Sequence, residues 1–183
     1  MARSRYKIYH KDQPHFLTMT VVEWIPLFMD RQIAAILLRS LEFLQKERSL
    51  TIYAYVIMEN HLHIIASNSC LNKTIKEFKS YTARSIVDYL LGKRSFPVLK
   101  KLEWAKLPHK IHSTHQVWQE GSHPQEIISE TMLLQKIGYI HNNPIRRGYI
   151  DEPAQWRYSS ARNYDGKDGL LDVKTDWRNE ITL

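Results

Sequence analysis

The stretch Thr51-Ile52-Tyr53-Ala54-Tyr55-Val56-Ile57-Met58-Glu59-Asn60-His61-Leu62-His63-Ile64-Ile65-Ala66 reads as two extended runs back to back. Thr51 to Met58 is β-branched and aromatic, the composition that a pleated, packed strand requires. Glu59-Asn60 supplies a turn, and His61 to Ala66 returns as a second strand, so the whole is a hairpin. Because strand side chains alternate between faces, His61 and His63 leave the second strand on the same face and direct two imidazoles at one spot.

On the N-terminal side of the hairpin, Phe16 to Trp24 is rich in Thr and Val and predicts a first strand. Asp30 can cap a helix whose apolar stripe is Ile33, Ile36, Leu37, Leu41 and Leu44, ending in the polar Gln45 to Ser49. On the C-terminal side, Asn72 or Thr74 begins a second helix. Ile75, Phe78, Thr82, Ile86, Tyr89 and Leu90 lie on one side of it, and Lys73, Lys76, Lys79 and Arg84 largely elsewhere, as an outward basic face. Gly92 to His115 has no clean period and two prolines, which predicts a loop, with a short strand near Val117. Pro124 to His141 predicts a helix buried through Ile127, Leu134 and Ile137, and Asn142-Asn143-Pro144 marks its end. The last forty residues predict an irregular tail anchored by Trp156, Tyr158 and Trp177. The order predicts an α+β fold, a ferredoxin-like antiparallel sheet with helices packed mainly on one side, in a single domain over residues 1–183 whose tail is 165–183.

Composition narrows the function. The 183 residues are 43% hydrophobic, enough for one core, and carry a formal net charge of +7. From His61 to Glu120 there are ten Lys or Arg against four acidic residues, so the excess sits in the middle third and predicts a phosphate-facing surface there. Phe78, Tyr81, Tyr89, Phe96, Trp104 and Trp118 are interleaved with it, as stacking on unpaired bases requires, although a protein core uses the same residues. Ile52 to Met58 is the longest apolar run and is too short to span a membrane, and Met1–Lys11 lacks a signal-peptide core, so a cytoplasmic protein is expected, nucleoid-associated when bound to DNA. The lone Cys70 excludes an internal disulfide and a cysteine-based metal knuckle.

Two features can carry chemistry. The His61/His63 pair can hold a divalent cation, or it can be an ordinary hydrogen-bonded pair in a sheet. Tyr139 shares a helix face with Gln135 and Asn143 at i−4 and i+4. A phenol is a poor nucleophile near its ordinary pKa of about 10, and becomes a useful one only beside a base or a cation.

Five segments in order resemble the single-tyrosine transposases of the HUH superfamily, and in particular the REP-associated tyrosine transposases. Met58-Glu59-Asn60-His61-Leu62-His63-Ile64-Ile65 looks like the histidine–hydrophobic–histidine motif, and Phe78-Lys79-Ser80-Tyr81-Thr82-Ala83-Arg84 like the basic helix after it. Val117-Trp118-Gln119-Glu120-Gly121 is similar to the family's Trp-Gln segment. Tyr139-Ile140-His141-Asn142-Asn143-Pro144, with Arg146, Arg147 and Gly148, resembles the tyrosine helix and its exit. Trp156-Arg157-Tyr158-Ser159-Ser160 matches a C-terminal signature. The similarity runs from about Phe16 to Tyr164.

The resemblance implies that His61, His63 and Asn143 are metal ligands and that Tyr139 is the nucleophile. It implies a metal-dependent single-stranded DNA endonuclease and strand-transferase that forms a 5′-phosphotyrosine and rejoins strands without ATP, in keeping with the lack of a phosphate-binding P-loop motif. Mixed nitrogen and oxygen ligands on a phosphate substrate imply Mg²⁺ or Mn²⁺. The partner implied is single-stranded, hairpin-containing DNA, with Lys76, Lys79, Arg84, Lys100 and Lys101 as phosphate contacts. Oligomeric state stays open between monomer and homodimer. Glu59 departs from the family, which often has proline there; it reads as a solvated turn charge rather than a carboxylate near the metal. A non-catalytic nucleic-acid binding module and a hydrolytic nuclease remain as alternatives.

Overall fold

The computed structural model of the chain describes residues 13–179, so Met1–Lys11 and the last four positions of the tail lie outside the described residues. Four strands, β1 (His15–Thr20), β2 (Thr51–Ile57), β3 (His61–Ser67) and β4 (Gln125–Glu126), form an antiparallel sheet in the order β2-β3-β1-β4. The helices are α1 (Arg31–Arg48), α2 (Leu71–Gly92), α3 (Phe96–Trp104), α4 (Glu130–His141) and the single-turn α5 (Asn143–Arg146) and α6 (Ala161–Tyr164). Strand order and connectivity are those of the expected ferredoxin-like α+β arrangement.

The period of two along each strand builds two cores. Leu17 and Met19 of β1 and Leu62 and Ile64 of β3 join Ile33, Leu37 and Leu41 of α1 and Ile75, Phe78 and Ile86 of α2 on one face. Leu99 and Leu102 of α3 join that same core, so the helices pack mainly on one side, as expected. On the other face Phe16, Ala54, Val56 and Ile65 meet Leu133, Ile137 and Ile140 of α4, with Trp177 from the tail. Every residue of β3 is buried, which is why its sequence reads as a largely apolar run interrupted by the two histidines and closed by Ser67.

Local chemistry sets the ends of α1. The Asp30 carboxylate accepts the Gln32 N–H at 2.9 Å as an N-cap, and Ser49 turns left-handed at φ 52° so that the Leu50 N–H reaches the Leu44 carbonyl at 3.1 Å. The first strand is shorter than expected: it stops at Thr20, and Val22–Trp24 forms a 3₁₀ turn with Glu23 and Trp24 at φ 51° and 54°. The expected loop from Gly92 contains α3, started by Pro97 in its first turn. The expected strand near Val117 is reduced to one bridge, Trp118 to Val21, while β4 lies further on. The helix expected from Pro124 starts only at Glu130, capped by Ser129, whose hydroxyl accepts the Met132 N–H at 3.2 Å. Its buried stripe is Leu133, Ile137 and Ile140, whereas Leu134 is 43% exposed.

The free edge of β2 and the part of β1 beyond its short pairing with β4 are both covered. Along β1, the Gln119 N–H donates to the Thr20 carbonyl at 2.8 Å, and the Trp118 indole N–H donates to Thr82 Oγ1 at 3.0 Å. Along β2, the Ile57 N–H donates to the Tyr158 carbonyl at 2.9 Å and the Ser160 N–H to the Tyr55 carbonyl at 3.0 Å. The Trp-Gln and Ser-Ser segments thus shield edges that would otherwise recruit other strands. No described helix is long and apolar enough to cross a membrane.

Candidate active site

His61 and His63 project from β3 on the α4 side, opposite Thr20 and Thr18 of β1, with their ring centroids 4.7 Å apart. Each ring is held by its Nδ1: Asn60 Oδ1 lies 2.7 Å from that of His61, and Thr18 Oγ1 2.9 Å from that of His63. An amide oxygen only accepts, so His61 Nδ1 carries the proton and its Nε2 keeps a lone pair, the tautomer a metal requires. Phe16 stacks on His63 at 5.4 Å and Trp24 meets His61 edge-on at 6.2 Å. The strained turn that ends β1 is therefore what brings Trp24 to the site.

Burial, the leading cause, pushes His61 down to about 4 and His63 down to about 3. For His61 the Glu59 carboxylate opposes this and the Arg147 guanidinium adds to it; for His63 the neighbouring His61 and Lys136 add to it. Both rings are consequently neutral at pH 7, the state that ligates metal.

Tyr139 sits on α4 with its ring 5.3 Å from that of His63 and 6.0 Å from Phe16, and is 36% exposed. The Arg146 guanidinium lies 5.2 Å from its ring centroid, and the Lys136 ammonium 4.7 Å from that of Phe16. The helix is fastened beneath by its apolar stripe and at its end by His141, whose Nε2 lies 2.9 Å from Ser160 Oγ; that hydroxyl also accepts the Tyr55 N–H at 2.9 Å. Three further tyrosines on the segments that carry the resemblance or beside them are placed elsewhere: Tyr81 is exposed on α2, Tyr149 stacks on Trp156 at 5.5 Å, and Tyr158 packs against the first core. Of these four, only Tyr139 contacts the histidine pair.

Asn143 is buried at the start of α5, and one turn later Arg147 reaches Glu59 Oε1 at 3.5 Å, tying this segment to the hairpin turn. Glu59 is not the solvated turn charge that its position suggests: it is 9% exposed, with the Phe28 N–H on its carbonyl at 2.9 Å and Arg147 beside its carboxylate. Among the described residues no three His, Cys, Asp or Glu side chains make a metal-binding group, so a cation on His61 and His63 needs a further donor of another kind. Two neutral imidazoles anchored through Nδ1 fit a divalent cation, and a buried amide oxygen is a suitable addition.

The expected phosphate contacts are dispersed. Lys76, Lys79 and Arg84 line an open groove of roughly 1100 Å³ between α2 and the 110–123 segment, together with Lys110, His112, His115 and His123. Lys79 does not point outward: its ammonium donates to the carbonyls of Gln119 at 2.7 Å and Gly121 at 2.6 Å, and burial pushes it down to about 8. Lys100 and Lys101 are on α3, where the Lys100 ammonium sits 5.3 Å from the centre of the exposed Trp104 ring. Of the interleaved aromatics, Phe78 and Trp118 are core, Tyr89 is half-buried, and Tyr81, Phe96 and Trp104 are exposed.

Thr18, Asn60 and Phe16 escaped the sequence reading. Asn60 was findable as the neighbour of His61, and Thr18 only through the register of β1 on β3.

No protein-family model matches the chain, and neither does any curated protein. Among solved structures it is similar to a REP-associated tyrosine transposase bound to a REP hairpin, with a TM-score of 0.67 and 16% identity, over 94% of this chain and 92% of that one. It is also similar to a protein from Deinococcus radiodurans R1 described as a transposase, with a TM-score of 0.45 and 20% identity, over 78% of this chain and 97% of that one. At such identities the likeness is one of fold.

Proposed function

We propose that the chain is a single-tyrosine transposase of the REP-associated kind, a metal-dependent endonuclease and strand-transferase acting on single-stranded, hairpin-forming DNA. The observation that carries this is the Tyr139 ring 5.3 Å from the anchored, neutral His63, on a helix clamped to the same sheet face. The shared fold with a structure solved on a REP hairpin supports the choice of DNA.

His61 and His63 through Nε2, and Asn143 through its side-chain oxygen, would hold Mg²⁺ or Mn²⁺. Such a cation, when bound, draws charge from a scissile phosphate and so favours attack at phosphorus. Tyr139 supplies the attacking oxygen: a bond forms between it and phosphorus, the bond from phosphorus to the 3′ oxygen breaks, and the phenol proton passes to solvent while the departing 3′ oxygen takes one up. The products are a 5′-phosphotyrosine and a free 3′-OH, and the reverse step on another 3′-OH rejoins the strands. Arg146 over the Tyr139 ring offsets negative charge developing on the phenol oxygen. Lys76, Arg84, Lys100 and Lys101 are assigned to the DNA backbone. Lys79 contributes by fixing the groove wall.

The test is incubation with hairpin-containing single-stranded DNA and Mn²⁺, followed by a denaturing gel. A covalent protein–DNA adduct that is lost with EDTA is expected. Cleavage without an adduct would make the chain a hydrolytic nuclease, and binding without cleavage a recognition module.

A further inference from the structure

Glu59 is the least expected residue of the site. A carboxylate in a hairpin turn ordinarily stays in water, because taking it out costs several kcal/mol unless both oxygens are partnered. Here Oε1 faces Arg147 at 3.5 Å, longer than a hydrogen bond, and Oε2 is buried with no hydrogen-bond partner in the protein. An unmatched buried carboxylate oxygen is rare enough to need an explanation. Arg147 does not provide it, since its guanidinium is half exposed and engages only the other oxygen.

The surroundings suggest what does. Glu59 immediately precedes Asn60, which anchors His61, and its charge acts on the His61 ring. Among the described residues no three carboxylate, imidazole or thiolate side chains come together, so Glu59 does not join the two histidines as a third close donor. A cation of the Mg²⁺ or Mn²⁺ type keeps water in its coordination shell, and those waters donate strongly to a nearby carboxylate. An acceptor at one remove needs vacant lone pairs, and Glu59 Oε2 has them.

We propose that Glu59 is a further residue of the metal site, holding a divalent cation on His61 and His63 through a metal-bound water accepted by its buried Oε2. This rests on the assignment of the two histidines as ligands. Glu59 is thus a positioning residue, and Arg147 stands at its other oxygen, Oε1. A competing role is purely architectural, with Glu59 serving only to hold Arg147.

Mn²⁺ affinity of the full chain without DNA separates these roles, read from the electron paramagnetic resonance signal of free Mn²⁺ during titration. Four proteins are compared: the unaltered chain, His63→Ala, Glu59→Gln and Arg147→Gln, each checked for fold by circular dichroism. His63→Ala should abolish binding, and Glu59→Gln, which keeps the shape and loses the charge, should weaken it roughly tenfold or more. Arg147→Gln should bind at least as tightly as the unaltered chain, because a positive charge is removed from beside the cation. Equal weakening by Glu59→Gln and Arg147→Gln would establish the architectural role and overturn the proposal. So would unchanged affinity in Glu59→Gln while His63→Ala loses the metal, a result that leaves the histidine assignment standing. An unaltered chain that leaves Mn²⁺ free, or a His63→Ala variant that still binds it, overturns the histidine assignment and this proposal together.

Discussion

The two faces of β3 do different work with alternate residues. Toward α1 and α2 the strand sends Leu62, Ile64 and Ala66 into a core assembled from three helices. Toward α4 it sends Ile65 into a smaller core, and His61 and His63 to the end that Tyr139 approaches. With the proposed function, a period of two therefore separates stability from chemistry within one strand. Neighbouring residues can belong to different functions, and a shift of one register position would exchange them.

The largest contrast should come from adjacent positions. His63→Ala is expected to lower DNA cleavage by more than about 10³-fold while costing only about 1–2 kcal/mol of stability, chiefly through the unmatched Thr18 hydroxyl. Ile64→Ala, fully buried on the other face, should cost about 2–5 kcal/mol and leave Mn²⁺ affinity unchanged. Urea denaturation, Mn²⁺ titration and single-turnover cleavage on both variants measure this, and loss of stability and of metal-dependent cleavage in both variants would show that the faces are not separable.

A smaller difference should appear with acid. Burial holds His61 down to about 4, His63 down to about 3 and His141 down to about 4, all on the α4 face. An unfolded chain takes up these protons below about pH 6.5, and the folded one only near the depressed values. Between those limits the unfolded state binds more protons, so stability rises with pH and is lost as the pH falls from 6.5 toward 4. Metal-free protein should show a lower urea midpoint at pH 5 than at pH 7. His141→Gln, which removes one of the three, should reduce the drop.

The weakest effects belong to the basic residues of α2 and α3. Lys76→Ala, Arg84→Ala, Lys100→Ala and Lys101→Ala should each flatten the salt dependence of single-stranded DNA affinity by about 0.7 in the logarithmic slope. Lys79→Gln should leave the slope alone and instead loosen the 119–121 segment, because its ammonium already serves two carbonyls. Fluorescence anisotropy at several salt concentrations distinguishes the two kinds of lysine.

Elements whose pattern is local and long were legible in the sequence. The hairpin, α1 and α2 fell within a few residues of their expected bounds, because each repeats its period several times. α3 was not legible: it is nine residues long, buries only Leu99 and Leu102, and hides its period behind Lys100 and Lys101. The stripe of α4 was misassigned by one position, since Leu133 and Leu134 adjoin and only docking on the sheet tells them apart. In the site, the histidine pair and Tyr139 could be picked out by residue type and spacing. Their supports could not, because Phe16 and Ser160 reach them across the sheet from distant parts of the chain. Glu59 was misread for the same reason: its charged partner, Arg147, stands eighty-eight positions later.

Identification of the atom that carries DNA bears most directly on the role of Tyr139. After reaction with hairpin-containing single-stranded DNA and Mn²⁺, nuclease trimming and trypsin digestion, mass spectrometry locates the residual nucleotide. It should be found on Tyr139, within the peptide of residues 137–146 that ends at Arg146. A nucleotide on the peptides carrying Tyr81, Tyr149 or Tyr158, at residues 80–84, 148–157 or 158–162, would contradict the account, as would cleaved DNA with no modified peptide at all.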